Sequence, residues 1–208
     1  MHPFRHPLAP QGASQISGLI LAGGEGRRMG HLDKGLIDWH GRPLVQHVRD
    51  GMAAQVAEIW ISANRNAMRY AAYGSVVADD PAVGCFQGPL AGLASVMPMV
   101  TTPWILTWAC DMPRVPVDLA RRMAQCVSRH GAPLGVAVAQ GRMQPVCMLV
   151  ATTLLPSLRD YLAGGGRRVD AWQQSAGAVC ARFDDQPWAF FNFNTPDDLR
   201  TAPEIPRP

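Results

Sequence analysis

Short apolar runs alternate along this chain with longer segments whose apolar residues recur at helical spacing. Continuous apolar runs are typical of strands buried on both faces, whereas a 3.6-residue period is typical of amphipathic helices. The runs that predict strands cover residues 16–20, 58–62, 74–78, 104–110, 133–139 and 143–150. The segments that predict helices cover residues 44–56, 117–127 and 153–162. This alternation predicts an α/β fold, a three-layer α/β/α sandwich of Rossmann-like type with right-handed crossovers.

The connection between two of these strands is unusually short. Only a turn at Gln140-Gly141-Arg142 separates the runs 133–139 and 143–150, and such a connection joins antiparallel strands. The sheet is therefore predicted to be mostly parallel but mixed. Because open parallel sheets bind ligands beyond the carboxyl ends of their strands, the residues that follow each strand are the candidate site residues.

A glycine-rich basic segment, Leu21 to Gly35, follows the first predicted strand. Four glycines lie within eight residues of it, so the backbone can turn freely and bring its amides close to a ligand. Arg27, Arg28 and Lys34 add cations that recognise phosphate oxygens. The segment therefore predicts a polyphosphate site.

Two common phosphate-binding patterns do not fit this segment. In the dinucleotide pattern G-x-G-x-x-G, the third glycine is replaced by Met29. In the P-loop pattern, lysine follows a glycine and precedes Ser or Thr, whereas Lys34 is followed by Gly35. Dinucleotide dehydrogenases and P-loop NTPases are therefore not indicated.

Carboxylates follow two of the predicted strands. Asp111 ends the apolar run 104–110, where it could hold Mg²⁺ that bridges phosphate oxygens. Asp80 follows the run 74–78, where it could accept hydrogen bonds from a base or a ribose, or begin a turn. Ser62 ends the run 58–62 and is expected near the nucleotide. The residues predicted to face an acceptor substrate are Gln144, Asn192 and Asn194.

Composition limits the function classes. With 208 residues and 48% hydrophobic content, the chain can bury one core, so we expect a single domain over 16–201 with a disordered tail at 1–15 and a frayed tail at 202–208. A net charge of +3 without a basic block indicates no nucleic-acid or membrane partner. Five cysteines without a C-x-x-C pair are typical of reduced thiols, and no apolar run approaches the roughly 20 residues of a membrane span. We therefore expect a cytoplasmic protein.

Taken together, the motifs resemble those of the molybdenum cofactor guanylyltransferase (MobA) family from about residue 17 to residue 199. The matching segments are Leu21-Ala22-Gly23-Gly24, Arg28-Met29-Gly30, Asp33-Lys34-Gly35, Gly88-Pro89-Leu90-Ala91-Gly92, Cys110-Asp111-Met112-Pro113 and Asn192-Phe193-Asn194-Thr195-Pro196. The resemblance implies a nucleotidyltransferase fold and transfer of GMP from GTP to molybdopterin, with Mg²⁺ as cofactor and diphosphate as the second product. It also implies transient contact with proteins that insert the cofactor or mature molybdoenzymes.

The resemblance assigns roles to individual residues. It implies that GTP is bound by Leu21, Ala22, Gly23, Lys34, Asp80 and Asp111. Gly24 and Ser62 are further candidates for GTP binding. Lys34 and Arg28 are expected to hold the GTP phosphates, and Asp111 to hold the metal, so these three are the candidate catalytic residues. Where the family can carry Asn at the end of the second strand, this chain has Ser62, with Asn64 two residues later.

Three other functions stay open from the sequence. A molybdopterin cytidylyltransferase is the nearest alternative, although its loop resembles L-A-A-G, whereas Gly23-Gly24 follows Ala22 here. A sugar-phosphate nucleotidyltransferase is usually longer. A catalytically inactive nucleotide-sensing module is disfavoured because both Lys34 and Asp111 are present.

Overall fold

The strands and helices alternate along the chain as the hydrophobic pattern predicts. The computed structural model describes residues 8–24, 32–81 and 88–201. The strands are β1 (Ile16–Leu21), β2 (Asp38–Trp39), β3 (Arg42–Pro43), β4 (Glu58–Ser62), β5 (Ser75–Val77), β6 (Trp104–Ala109), β7 (Leu134–Ala139), β8 (Arg142–Ala151) and β9 (Val179–Arg182). The α-helices are α1 (Leu44–Ala53), α2 (Ala67–Tyr70), α3 (Pro89–Val96), α4 (Leu119–His130), α5 (Leu155–Ala163), α6 (Val169–Ser175) and α7 (Pro196–Thr201). Short 3-10 turns cover Ala13–Gln15, Lys34–Leu36, Thr152–Leu154 and Pro187–Phe190.

Within the described ranges, seven of these strands form one sheet in the order β5-β4-β1-β6-β8-β7-β9. The pairs β1–β4, β1–β6, β4–β5 and β7–β9 are parallel, while β8 runs antiparallel to both β6 and β7. The tight turn at Gln140 and Gly141, which both have positive φ, connects β7 to β8. The prediction of a mostly parallel but mixed sheet is therefore confirmed.

Helices cover both faces of the sheet. Ile16 and Ile20 of β1 pack into one apolar cluster together with α1 and α4, whereas Leu19 packs into a second cluster together with α3, α5 and α6. This division follows from the alternation of side chains along a strand. The three-layer α/β/α sandwich is confirmed.

Part of the tail predicted over residues 1–15 contacts the sheet. Over residues 8–15, Pro10 is buried and Trp104 donates its Nε1 hydrogen to the carbonyl oxygen of Leu8 at 3.0 Å. The buried indole of β6 satisfies its only donor in this way, which fixes the chain ahead of β1. Residues 1–7 and 202–208, also predicted to be tails, lie outside the described residues.

No helix among the residues described is both long and apolar enough to cross a membrane. The four cysteines in the described ranges are free, and three of them, Cys110, Cys126 and Cys147, are buried.

Candidate active site

A cleft of about 740 Å³ lies at the carboxyl ends of β1, β4 and β6. It is lined by Leu21, Ala22, Gly23, Gly24, Asp33, Lys34, Ser62, Asp79, Gly88, Pro89, Ala109, Cys110, Asp111, Val146, Asn192 and Asn194. Nine of the residues predicted from the sequence are thus brought to one cavity, as expected for an open parallel sheet. Arg28, the predicted second phosphate cation, lies outside the described residues.

The chain leaving β1 forms one wall of the cleft. Ala22 donates its N–H to the carbonyl oxygen of Ser62 at 2.9 Å, and Cys110 donates its N–H to the carbonyl oxygen of Leu21 at 3.1 Å. These bonds continue the pairing of β1 with both neighbours beyond the end of the strand. A Cβ at Gly24 would contact nothing within 4 Å, so the backbone here faces open space that a ligand can enter.

The second wall holds the polar group formed by Lys34, Asp111 and Asn194. Lys34 donates from Nζ to Asp111 Oδ2 at 3.0 Å and to Asn194 Oδ1 at 2.6 Å. The side chains of Lys34 and Asp111 are 25% and 18% exposed, so the ion pair is largely shielded from solvent and yet open to the cleft. Three segments distant in sequence thereby present a cation, a carboxylate and an amide to one point.

Asn194 is held in place from both sides. The preceding residue, Phe193, donates its N–H to the carbonyl oxygen of Asp111 at 2.9 Å. The N–H groups of Asn194 and Thr195 both donate to Asp198 Oδ2, at 2.8 and 2.7 Å, and Asp198 returns its own N–H to Thr195 Oγ1 at 3.2 Å. These bonds form a capping box at the start of α7, and they fix the amide that faces Lys34.

Of the two adjacent carboxylates that follow β5, Asp79 lines the cleft, whereas the sequence analysis selected Asp80. Asp79 is 6% exposed; its Oδ2 accepts from Asn64 Nδ2 at 2.7 Å, and its N–H donates to Asn64 Oδ1 at 2.8 Å. Asp80 is exposed, is not among the residues that line the cleft, and donates its N–H to Ser95 Oγ at 2.8 Å. Ala63 donates its N–H to the carbonyl oxygen of Val77, which continues the β4–β5 pairing and turns Asp79 back toward Asn64.

Ser62 ends β4 beneath helix α3. Its side chain is 3% exposed, and α3 comes so close that a Cβ at Gly92 would lie 2.3 Å from Ser62 Oγ. The glycine therefore has a packing role, because it lets the helix approach the strand.

Replacing Gly92 with alanine is expected to lower the free energy of unfolding by about 1–3 kcal/mol, because the added Cβ overpacks the contact with Ser62. Urea denaturation of the Gly92→Ala variant measures this change. The matched control is Gly12→Ala, where a Cβ meets nothing within 4 Å and the change should stay within about 0.5 kcal/mol. Equal stability of the two variants would contradict the close packing.

The structure differs from the prediction at Gln144, which was expected to face an acceptor substrate. The pairing of β7 with β8 shifts so that Ala137 faces Gln144 while Val136 faces Met148, which leaves residues 145–147 bulged. Thr107 donates from Oγ1 to the carbonyl oxygen of Val146 at 2.6 Å, and Gln173 donates from Nε2 to that of Pro145 at 2.7 Å. The bulge brings Val146 to the cleft, and Gln144 is not among the residues that line it.

The charged side chains of the site, and not the Cys110 thiol, determine the chemistry that it can support. Burial raises the pKa of the Cys110 thiol well above its ordinary value, and the neighbouring Asp111 raises it further, so Cys110 is neutral and a poor nucleophile. Among the residues described, no three His, Cys, Asp or Glu side chains cluster as a complete metal cage. Asp111 and Asn194 supply two oxygen donors, which fits a Mg²⁺ ion that takes its other ligands from substrate phosphates and water.

Two carboxylates that line the cleft, Asp33 and Asp79, were not selected from the sequence. Asp79 follows a strand, so the strand-end rule that selected Asp111 also points to it. Asp33 directly precedes Lys34 and lines the cleft, but its role depends on contacts with α2 that no local pattern reveals.

The sequence is similar to a family of known nucleotidyltransferases. Residues 18–180 match the model of the MobA-like NTP transferase domain family. The molybdenum cofactor guanylyltransferase of Cupriavidus necator is 44% identical over 191 residues, covering 89% of this chain and 95% of that protein. The protein of the same name from Shewanella woodyi is 41% identical over 190 residues, covering 91% of this chain and 96% of its own.

A solved structure supports the fold independently. The crystal structure of molybdopterin-guanine dinucleotide biosynthesis protein A from Archaeoglobus fulgidus superposes with a TM-score of 0.74. The two sequences are 21% identical, and the match covers 89% of this chain and 96% of that one. By the identity and coverage of its sequence relatives, the chain belongs to the molybdenum cofactor guanylyltransferase family of MobA-like NTP transferases.

Proposed function

We propose that this protein transfers GMP from GTP to the phosphate of molybdopterin and releases diphosphate. The main support is the group formed by Lys34, Asp111 and Asn194, which presents a cation, a carboxylate and an amide at the strand ends of a nucleotide-sized cleft. The names of the relatives support guanine as the base and molybdopterin as the acceptor.

The reaction needs alignment and charge neutralisation more than proton transfer. A phosphate oxygen of the acceptor is already anionic, so it attacks the α-phosphorus of GTP without a general base. The bond to the β-phosphate oxygen breaks, and diphosphate leaves with the bonding electron pair. The contribution of the protein is to hold both phosphates in line and to stabilise the charge that builds up in the transition state.

Lys34 is the cation that holds the phosphates. Its ammonium group has three donors, and the bonds to Asp111 and Asn194 use two of them, which leaves one for a phosphate oxygen. Arg28 is the proposed second cation. The low exposure of the pair strengthens its field, because solvent screens it less than a surface ion pair.

Mg²⁺ is the proposed cofactor, held by Asp111 with Asn194 as the neighbouring oxygen donor. When bound, the ion supplies Lewis-acid neutralisation of the phosphate charge. Asn192, on the same segment, lines the cleft where the acceptor phosphate is proposed to bind. Gly23 and Gly24 provide the open backbone on the opposite wall.

Asp79 is the proposed reader of guanine. A carboxylate accepts the two hydrogens that guanine presents at N1 and N2, whereas adenine and cytosine do not offer this pair. Asn64 uses both ends of its amide on Asp79, which fixes the direction of the carboxylate. Ser62, Leu21 and Ala22 complete the surface next to it.

Replacing Asp79 with asparagine is expected to lower the preference for GTP over ATP by about 10-fold to 100-fold, because hydrogen bonds to a charged group contribute roughly 1.5–3 kcal/mol. The measurement is kcat/KM for GTP, ATP and CTP with the variant and the parent protein. Asp80→Asn is the matched control and should keep the parent preference. Loss of preference in Asp80→Asn alone would return the role to Asp80.

The proposed function is tested by incubating the protein with GTP, Mg²⁺ and molybdopterin and following the dinucleotide by mass spectrometry, together with the diphosphate released. We expect product from GTP and little from CTP or ATP. Preference for CTP would identify a cytidylyltransferase, and turnover with a sugar phosphate as acceptor would identify a sugar-phosphate nucleotidyltransferase. GTP binding without turnover would support a nucleotide-sensing module.

The cytoplasmic location and the contact with proteins that insert the cofactor stay predictions. Both are compatible with the role proposed here, because the product must pass from this protein to a molybdoenzyme.

A further inference from the structure

The residue before Lys34 is held by a helix that has no other part in the site. Tyr70 of α2 donates its hydroxyl hydrogen to Asp33 Oδ1. Asn66, which precedes α2, donates from Nδ2 to Asp33 Oδ2 at 2.9 Å. Both oxygens of the Asp33 carboxylate are therefore fixed from one direction. We call Asn66 and Tyr70 the α2 anchor.

The backbone of Asp33 begins the 3-10 turn that carries Lys34. Leu36 donates its N–H to the carbonyl oxygen of Asp33 at 3.0 Å, and Ile37 donates its N–H to that of Lys34 at 3.1 Å. A carboxylate held at both oxygens therefore holds the start of this turn. The direction in which the Lys34 side chain leaves the backbone is set by the same contacts.

Gly35 shows how closely the turn lies on the anchor. A Cβ at this position would be 2.5 Å from the Tyr70 hydroxyl oxygen and 3.1 Å from its nearest ring carbon. The turn can lie directly on the Tyr70 ring only because residue 35 has no side chain. In the sequence Asp33-Lys34-Gly35, the first residue is bonded to the α2 anchor and the second is the proposed phosphate cation. The third is the glycine that lets the turn contact the Tyr70 ring.

The protonation of Tyr70 and the backbone conformation of Asn66 both suit the α2 anchor to donating hydrogen bonds. Tyr70 is fully buried, and burial, followed by the effects of Cys110 and Asp33, raises the pKa of Tyr70 far above its ordinary value, so its hydroxyl remains a donor. Asn66 has φ 52°, in the left-handed region that asparagine tolerates better than most residues. Asn66 can therefore keep this conformation while its amide donates to Asp33.

We infer that the α2 anchor positions Lys34 through Asp33, so that Asn66, Tyr70 and Asp33 are positioning residues for the transfer reaction. The inference rests on the proposed function, since it assigns the purpose of the anchor to phosphate transfer. Lys34 reaches Asp111 and Asn194 through a flexible four-carbon chain, and a displacement of its turn by about 1 Å lowers turnover by up to about 10²-fold.

The first test is Tyr70→Phe, which removes one hydroxyl and keeps the ring. We expect kcat to fall by about 10-fold, while KM for the acceptor stays within about 2-fold, because the defect affects alignment more than acceptor binding. Tyr73→Phe is the matched control: the same atom is removed from a half-buried tyrosine just beyond α2, and kcat should not change.

A second variant covers the case in which Tyr70→Phe does not fold. Asn66→Gly removes the amide donor at an exposed position whose positive φ suits glycine, so folding is preserved. We expect kcat to fall by about 3-fold with an unchanged unfolding midpoint, because one of the two hydrogen bonds to Asp33 is lost. Unchanged kcat in both variants, or in Asn66→Gly alone when Tyr70→Phe does not fold, would overturn the inference.

The deciding experiment is a double-mutant cycle with Lys34→Met. If the anchor acts through Lys34, Tyr70→Phe lowers turnover in the parent protein and has no further effect in the Lys34→Met background. A purely structural role predicts the same loss in both backgrounds, and that result would overturn the inference. The cycle is repeated on GTP affinity by calorimetry. If the parent protein binds GTP but forms no dinucleotide, the proposed function fails, while the affinity cycle still decides whether the anchor acts through Lys34.

Discussion

Replacement of Asp111 by alanine is expected to lower the rate of dinucleotide formation by about 10³-fold. The change removes the carboxylate proposed to hold Mg²⁺ and the anionic partner that keeps Lys34 Nζ within 3.0 Å. The measurement is steady-state turnover over a Mg²⁺ titration. Asp111→Asn keeps the shape and an oxygen for Lys34 but not the charge, so it should recover little activity.

The control for this experiment is Asp160→Ala, an exposed carboxylate on α5 away from the cleft, which should keep parent turnover. Full Mg²⁺-dependent turnover in Asp111→Ala would show that the metal assignment is wrong. A loss in Asp160→Ala of similar size would show that net charge, not this carboxylate, controls the rate.

Replacement of Lys34 by methionine is expected to have the second-largest effect, with kcat/KM for GTP lowered by about 10²-fold to 10³-fold. Methionine keeps much of the length of the side chain but supplies neither the charge nor the donors to Asp111 and Asn194. The measurement is kcat/KM together with GTP affinity by calorimetry.

Lys34→Arg separates charge from geometry. Arginine keeps the cation but spreads it over a planar fork that cannot occupy the same point between Asp111 and Asn194. We therefore expect GTP affinity within about 10-fold of the parent protein and a larger loss in kcat. Parent-like kcat in Lys34→Met would remove this lysine from the reaction.

The sequence predicts the parts of the site that depend on local pattern. Gly23, Gly24 and Asp111 each follow an apolar run, and a run buried in a parallel sheet ends at the ligand edge whatever the rest of the chain does. Asn194 also lies beside a local pattern, because Thr195 and Asp198, three residues apart, are typical of the start of a helix.

The choice between Asp79 and Asp80 could not be made in this way. Adjacent residues of an extended segment point to opposite sides, so a difference of one residue reverses the assignment. The bond from Ala63 to the carbonyl oxygen of Val77 and the two bonds between Asn64 and Asp79 decide the question. These contacts join the ends of β4 and β5, so the local sequence of either segment does not predict them.

The same reason explains the difference at Gln144. The bulge over residues 145–147 accepts hydrogen bonds from Thr107 of β6 and Gln173 of α6. One of these donors precedes β8 in the sequence and the other follows it. The strand pattern predicts regular pairing of β7 with β8 and does not predict the bulge. Without the bulge, Gln144 would have a different position relative to the cleft from the one that the structure shows. Tertiary hydrogen bonds to the backbone override that pattern.

The bond between Lys34 and Asn194 joins residues that are 160 positions apart. During synthesis, β1 and the turn that carries Lys34 leave the ribosome early, and the strand before Asp111 follows, while Asn194 emerges near the end. A growing chain can therefore form the part of the cleft built from β1 and β6 well before it has the amide of Asn194. The bond that links Lys34 to this amide can form only after the start of α7 has been translated.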